Sequence, residues 1–166
     1  MKNVENEITD WLRDAYALER SQEIALERIC LNNDMSVECR TAAAIHLTET
    51  RQHSRVVESL LRSLGVDISS FKTGLGVMAE KIRGLETTLS HDEQVKDLLS
   101  IYAMEHFEIA CYSALAAAAE LGGLSQIANA CRQIILDEEK MAETVRKELP
   151  RVVREYIHPV SLPQAA

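Results

Sequence analysis

The sequence predicts an all-α protein, a bundle of four long helices paired as two antiparallel hairpins and joined by a long crossover. Three observations predict it. The first proline in the 166 residues is Pro150, so nothing before it carries the strongest helix breaker. The six glycines, Gly65, Gly74, Gly76, Gly84, Gly122 and Gly123, fall between or at the edges of periodic stretches. Within those stretches apolar residues return at alternating steps of three and four, the period of a helix face packed in a bundle. No strand-like alternation accompanies them.

Taken in order, the first helix is expected over 4–31, with the seam Ile8, Leu12, Ala15, Glu19, Gln22, Leu26 and Ile29. Asn32-Asn33-Asp34 then breaks the chain. The second helix, over 36–64, carries Ala42, Ile45, Glu49, His53, Val56 and Leu60 along its seam. Gly65 to Ser90 forms the crossover, with a short helix expected near 77–89. Ser90-His91-Asp92-Glu93 reads as a capping box, serine and glutamate satisfying each other's backbone donors, and opens a third helix over 91–121. Its seam is Val95, Leu98, Tyr102, Glu105, Ile109, Tyr112, Ala116 and Ala119. After the Gly122-Gly123 turn the fourth helix spans 124–148 through Leu124, Ala128, Cys131, Ile135, Glu138, Ala142, Val145 and Leu149. Beyond Pro150 a separate short helix over 151–157 is expected, then a loose tail over 159–166, leaving 1–158 as a single domain.

A chain of this length buries roughly 70% of the surface its unfolded form exposes, enough for one core. The 26 acidic residues against 18 basic ones, a net charge of −8, argue against nucleic acid or an anionic membrane as partner. No apolar run approaches the ~20 residues of a bilayer span. The opening MKNVENEITD lacks the apolar segment of an export signal, and the four cysteines (Cys30, Cys39, Cys111, Cys131) show no CxxC spacing. The expectation is a cytoplasmic protein with reduced, packed thiols. There is no glycine-rich phosphate loop, nucleophile elbow or zinc-like Cys/His spacing.

The chemistry lies in the seams, because each carries a glutamate near its middle: Glu19, Glu49, Glu105 and Glu138. An isolated ionised carboxylate in a dry core costs several kcal/mol, and four facing one another repel. They must be protonated or paired with cations, and the seams contain few lysines or arginines. Two divalent metals would balance four carboxylates, with neutral histidine completing coordination. The heights agree. Glu19 and Glu49 are equidistant from the Asn32–Asp34 break, and Glu105 and Glu138 from the Gly122 turn, so both pairs meet near mid-bundle. Glu108, one turn beyond Glu105, competes for the same role. Tyr16-Ala17-Leu18-Glu19 echoes Tyr102-Ala103-Met104-Glu105, and Leu47-Thr48-Glu49 parallels Leu136-Asp137-Glu138, as two related hairpins would.

Other polar residues are weighed against these. His53 is expected as a ligand, with a satisfied core histidine as the alternative. His46, one turn before Glu49, either orients it or replaces it as ligand. His106 points about 100° from Glu105, toward the surface or an outer contact. Tyr16, Tyr102 and Tyr112 are expected in the core, their hydroxyls bonded to buried carboxylates. Glu139 and Glu143 read as a solvated acidic face, and His91 and His158 merely flank helix ends. A second apolar stripe with Trp11 and Leu18 is the candidate face for a homodimer, an ordinary core role being the alternative.

Asp14-Ala15-Tyr16-Ala17-Leu18-Glu19, His46-Leu47-Thr48-Glu49-Thr50-Arg51-Gln52-His53, Glu105-His106-Phe107-Glu108-Ile109-Ala110-Cys111-Tyr112 and Glu138-Glu139-Lys140 resemble the ferritin-like superfamily. More closely they resemble its YciE/YciF-like branch of small bacterial stress-associated proteins. The resemblance spans roughly residues 5–148 and implies a four-helix bundle with a dinuclear iron or manganese centre, plus a short fifth helix. It also implies a role in oxidative or general stress. The superfamily pattern takes a glutamate from each of two helices and Glu-x-x-His from each of the other two. Here Gln52 follows Glu49 at i+3, with His53 at i+4, and Met141 follows Glu138 at i+3. The second half-site is therefore poorer in nitrogen ligands.

The leading expectation is a protein that binds two divalent ions, iron or manganese, through Glu19, Glu49, His53, Glu105 and Glu138. Fe(II) oxidation or reaction with O₂ or peroxide is the chemistry such ions offer. The alternative is a metal-free helical interaction module, a dimer, in which the polar cluster survives as a protonated hydrogen-bonded network. An iron-storage cage is a third reading, disfavoured because nothing marks cage contacts.

Overall fold

The structure is a computed structural model that describes residues 4–33, 35–67 and 93–158. The described residues form four helices: α1 (Val4–Leu31), α2 (Val37–Ser63), α3 (Glu93–Leu121) and α4 (Ser125–Ile157). The first three follow the expected spans closely. The expected crossover helix, the Ser90–Glu93 capping box and the 159–166 tail lie outside the described residues.

Local chemistry sets the ends. Ser36 caps α2, its hydroxyl accepting a hydrogen bond from the Cys39 backbone N–H at 3.1 Å. Gly123 takes φ +71° at the α3–α4 turn, a conformation a side chain would strain, while the Leu124 N–H reaches back to the Ala119 carbonyl at 2.8 Å.

The fourth helix departs from expectation. It does not stop before Pro150 but runs unbroken to Ile157, so the separate short helix is the last part of α4. Pro150 forfeits one backbone donor, a cost of about 3 kcal/mol in a helix interior. Contacts beyond it offset that cost. Val152 is buried, and Arg151 grips Glu148 at 2.7 Å, Glu155 at 2.6 Å and the Ser36 hydroxyl at 2.6 Å. The end of α4 is thus tied to the start of α2.

Side-chain pairs give the topology. Arg51–Glu27 joins α1 to α2, Lys140–Glu49 and His53–Asp137 join α2 to α4, and Arg132–Glu120 joins α4 to α3. Tyr112–Glu19 and Gln22–Glu105 join α3 to α1. Where two pairs join the same helices, α2 with α4 and α1 with α3, the residue numbers of one rise as the other's fall. The short turns after α1 and α3 reverse the chain, so each adjacent pair is antiparallel. The helices circle the bundle as α1, α2, α4, α3. That order makes α2 and α3 parallel across the diagonal, which only a crossover along the bundle can connect.

The core is layered along the axis. One apolar plug gathers Ile8, Leu12, Val57, Leu61, Leu115 and Ile127 among others; a second, at the opposite end, holds Leu26, Ile29, Leu47, Leu98, Met141 and Val145. Between them lies a buried polar layer that includes Glu19, Gln22, His46, Thr50, His53, Glu105, Glu108 and Glu138. Leu18 is buried while Trp11 is 40% exposed, so the two do not form the shared outer stripe expected of a dimer face. All four cysteines are free thiols, and no described helix is long and apolar enough to cross a membrane.

Candidate metal centre

The expected seam of α1 is buried throughout, and it delivers Glu19 to mid-bundle with no exposed surface. The expected seam of α2 is rotated. Ile45 is 54% exposed, and the buried line is instead Cys39, Ala43, His46, Thr50, His53, Val57 and Leu60. That line is a strict heptad of alternating fours and threes. Residues seven apart lie within about 20° on a helix, so His46 and His53 point the same way, two turns apart. Glu49 sits to one side of that line, its side chain 21% exposed. The hairpin α3–α4 brings in Glu105, Glu108 and Glu138, all fully or almost fully buried.

These residues form two triads that share one member. Glu19, His53 and Glu138 bring one ligand atom each within 4.8 Å of one another, and so do His46, Glu105 and Glu138. His53 Nδ1 lies 2.9 Å from Glu138 Oε1 and 3.6 Å from Glu19 Oε1. His46 Nε2 lies 3.2 Å from Glu138 Oε2 and 3.1 Å from Glu105 Oε2. The two oxygens of Glu138 therefore face different triads. Of the five residues expected as ligands, the structure brings Glu19, His53, Glu105 and Glu138 together. It places Glu49 outside both triads and puts His46 where Glu49 was expected.

Glu49 has another task. Its Oε2 sits 3.2 Å from His46 Nδ1 and its Oε1 accepts from Lys140 Nζ at 2.7 Å. Asp137 does the same for the second histidine, its Oδ2 lying 3.1 Å from His53 Nε2. Each imidazole thus has a carboxylate on its outer nitrogen and presents its inner nitrogen to the cluster, the arrangement that fixes ring orientation in metal-ligating histidines. The inner carboxylates are steadied too. The Tyr112 hydroxyl donates to Glu19 Oε1 at 2.6 Å, and the Gln22 amide donates to Glu105 Oε1 at 2.8 Å. Tyr112 does what was expected of the tyrosines. Tyr102 instead packs edge-on against His106, ring centroids 4.5 Å apart.

The remaining atoms supply a test of whether cations fit. Glu19 Oε2, Glu105 Oε2, both oxygens of Glu108 and of Glu138, His46 Nε2 and His53 Nδ1 are buried and make no hydrogen bond. The inner contacts run from 2.9 Å to 3.6 Å, the crowding expected of lone pairs converging on a common point. Buried polar atoms left in this state cost about 1–3 kcal/mol each. Glu19, Glu105, Glu108 and Glu138 with two neutral imidazoles make an oxygen-rich donor set whose charge two divalent ions would cancel. The donor set fits the group.

Without cations, protons take their place. Burial alone would lower both histidines, but Glu105 and Glu138 raise His46 to about 11, and Glu138 and Glu19 raise His53 to about 10. Burial lifts Glu105 to about 8 against the pull of His46. Glu19 rises by burial despite His53, and Glu108 rises well above the carboxylate range by burial and the neighbouring Glu19. Glu138 goes the other way: burial would raise it, but the two imidazolium rings hold it below the usual range.

A sequence profile of the family described as "Domain of unknown function (DUF892)" matches residues 3–158. Solved structures share the architecture. A protein of Xanthomonas campestris pv. campestris is 28% identical, with TM-score 0.80 over 96% of this chain and 100% of its own. The Escherichia coli stress protein YciF is 22% identical, with TM-score 0.74 over 93% of this chain and 99% of that one. YcfI of Rhodopseudomonas palustris is 21% identical, with TM-score 0.65 over 88% of this chain and 94% of its own. The fold is thus the ferritin-like, YciF-like helical bundle.

Proposed function

The chain belongs to the DUF892 family, and on that premise we propose that it is a dinuclear metal-binding protein holding two divalent ions of iron or manganese. In this reading Glu19, His53 and one oxygen of Glu138 would hold one ion, and His46, Glu105 and the other oxygen of Glu138 would hold the second. Glu108 supplies the fourth interior carboxylate. The single observation that carries it is the division of the Glu138 oxygens between two histidine–carboxylate triads.

Iron or manganese bound there would supply Fe(II) oxidation or reaction with O₂ or peroxide. The chain's own residues do the rest. Glu49 and Asp137 fix the two imidazoles, Tyr112 and Gln22 fix the two terminal carboxylates, and the apolar plugs above and below keep bulk water out of the layer. The Escherichia coli neighbour is described as a stress protein; a stress role for this chain is part of the proposal and rests on that likeness.

The test is a titration of metal-free protein with Mn²⁺, followed by elemental analysis after desalting. About two ions per chain are expected in the wild type and none in Glu138→Ala. Equal retention in both would refute the reading.

A second reading has its own support, since His46 and His53 lie close enough to Glu105 and Glu138 for protons alone to neutralise the cluster. On that reading the protein is a metal-free helical module, and its melting temperature is indifferent to chelators and to added Mn²⁺.

A further inference from the structure

The candidate centre is closed. Glu19, Glu105 and Glu138 have no exposed surface, and Glu108 and His46 almost none. Any ion that reaches them needs an opening. A groove of about 380 Å³ runs between α2 and α4, walled by Val37, Thr41, Ile45, Met141 and Thr144, and it ends on His46, Glu49 and Lys140. These two helices meet along the sparsest of the four interfaces.

The closing pair is built for exchange. Glu49 turns one oxygen inward to His46 and the other outward to Lys140, whose own side chain is 64% exposed. The Lys140 ammonium, 2.7 Å from Glu49 Oε1, occupies the place of a cation at the end of the groove. It is solvated and held by one carboxylate, so a metal ion can displace it at little cost. Glu38 adds a second negative charge to the groove wall.

We propose that this groove is the route by which metal ions exchange with the buried centre, and that Glu49 is the transfer ligand at its inner end, capped by Lys140 when no ion is in transit. The inference rests on the metal-centre reading and deepens it. Glu49 is here a positioning and relay residue, which explains a carboxylate beside the centre yet outside both triads.

The experiment is stopped-flow binding of Co²⁺ to metal-free full-length protein, followed by its visible absorption, with the number of ions bound at equilibrium measured in parallel. Glu49→Gln is expected to slow association about tenfold while about two Co²⁺ ions still bind at saturation. Glu49→Asp restores part of the rate, and Lys140→Gln raises it above wild type. Ile45→Trp, an exposed substitution that fills the groove and keeps the Glu49 carboxylate, also slows entry. Unchanged association in both Glu49→Gln and Ile45→Trp, with two ions bound, would overturn the route and leave the centre standing. Slowing in Asp137→Asn but not in Glu49→Gln would place entry beside His53 and overturn it equally. A wild-type protein that binds no Co²⁺ would refute the centre and the route together.

Discussion

On the Glu19 side of the cluster the carboxylate is held by a phenol and the imidazole by Asp137; on the Glu105 side the carboxylate is held by an amide and the imidazole by Glu49. The two sides share Glu138 and take their histidines from one helix. They differ in how they meet water. Asp137 is a surface carboxylate, 43% exposed, whereas Glu49 is pinned beneath Lys140 at the end of a groove. Half-sites of nearly equal inner composition are thus set in unequal frames. The sequence echo between the hairpins accounts for the likeness of Glu19 and Glu105. It does not extend to the histidines, because Ala142 stands at the position in α4 that corresponds to His53.

The comparison breaks hardest at Glu138. Glu138→Ala removes the carboxylate common to both triads and leaves two buried imidazoles each short of one close carboxylate partner, so both ions should be lost from a Co²⁺ titration. In the metal-free protein the same change should lower stability by about 3–5 kcal/mol, the cost of breaking buried ion pairs, read as a fall in urea midpoint at neutral pH. Next come the histidines. His46→Ala and His53→Ala should each leave about one ion per chain, with different visible spectra for the two survivors. Identical spectra, or loss of both ions from either variant, would show that the cluster does not act as two halves.

Smaller effects separate the frames. Tyr112→Phe removes the hydroxyl that donates to Glu19 and should weaken only the Glu19 side, about tenfold in affinity. Gln22→Leu should do the same for the Glu105 side alone. Calorimetry with Mn²⁺ would show one of two binding steps move in each variant.

The pH dependence is the mildest discriminator, and its sign differs with and without metal. In the metal-free protein Glu105 is raised to about 8 and the histidines to about 10 and 11, so their contribution is full below the unfolded values. It is lost as pH rises: between about 4.5 and 8 for Glu105, and from about 6.5 upward for the histidines. Glu138, held low, opposes this only in acid, where its contribution fades as it takes up a proton. Melting temperature should therefore decline from pH 6 to pH 9 without metal. With Mn²⁺ present the decline should shrink or reverse, since binding requires neutral imidazoles and releases protons.

Much of this was legible in the residues. The α1 seam, the turns and the depth at which glutamates converge follow from period and spacing, because a helix that buries one face leaves a simple trace. The α2 seam did not read correctly, for a physical reason. Ala42, Ile45 and Val56 are apolar and suggest a line through Glu49, while the buried line passes through His46, Thr50 and His53, which look polar until their partners are known. The His46–His53 spacing of seven was the available signal. Glu108 was read as a rival to Glu105, yet one turn of α3 buries both. The continuity of α4 through Pro150 depends on Arg151 meeting Ser36, a contact between residues 115 apart that no local pattern encodes.

The central claim is that two cations sit side by side with Glu138 between them. Anomalous diffraction from crystals soaked in Mn²⁺ tests it most directly. Two peaks are predicted in the polar layer, one bounded by Glu19 and His53 and the other by His46 and Glu105, each against a different oxygen of Glu138. A layer with no peak, or a single peak remote from Glu138, would contradict it.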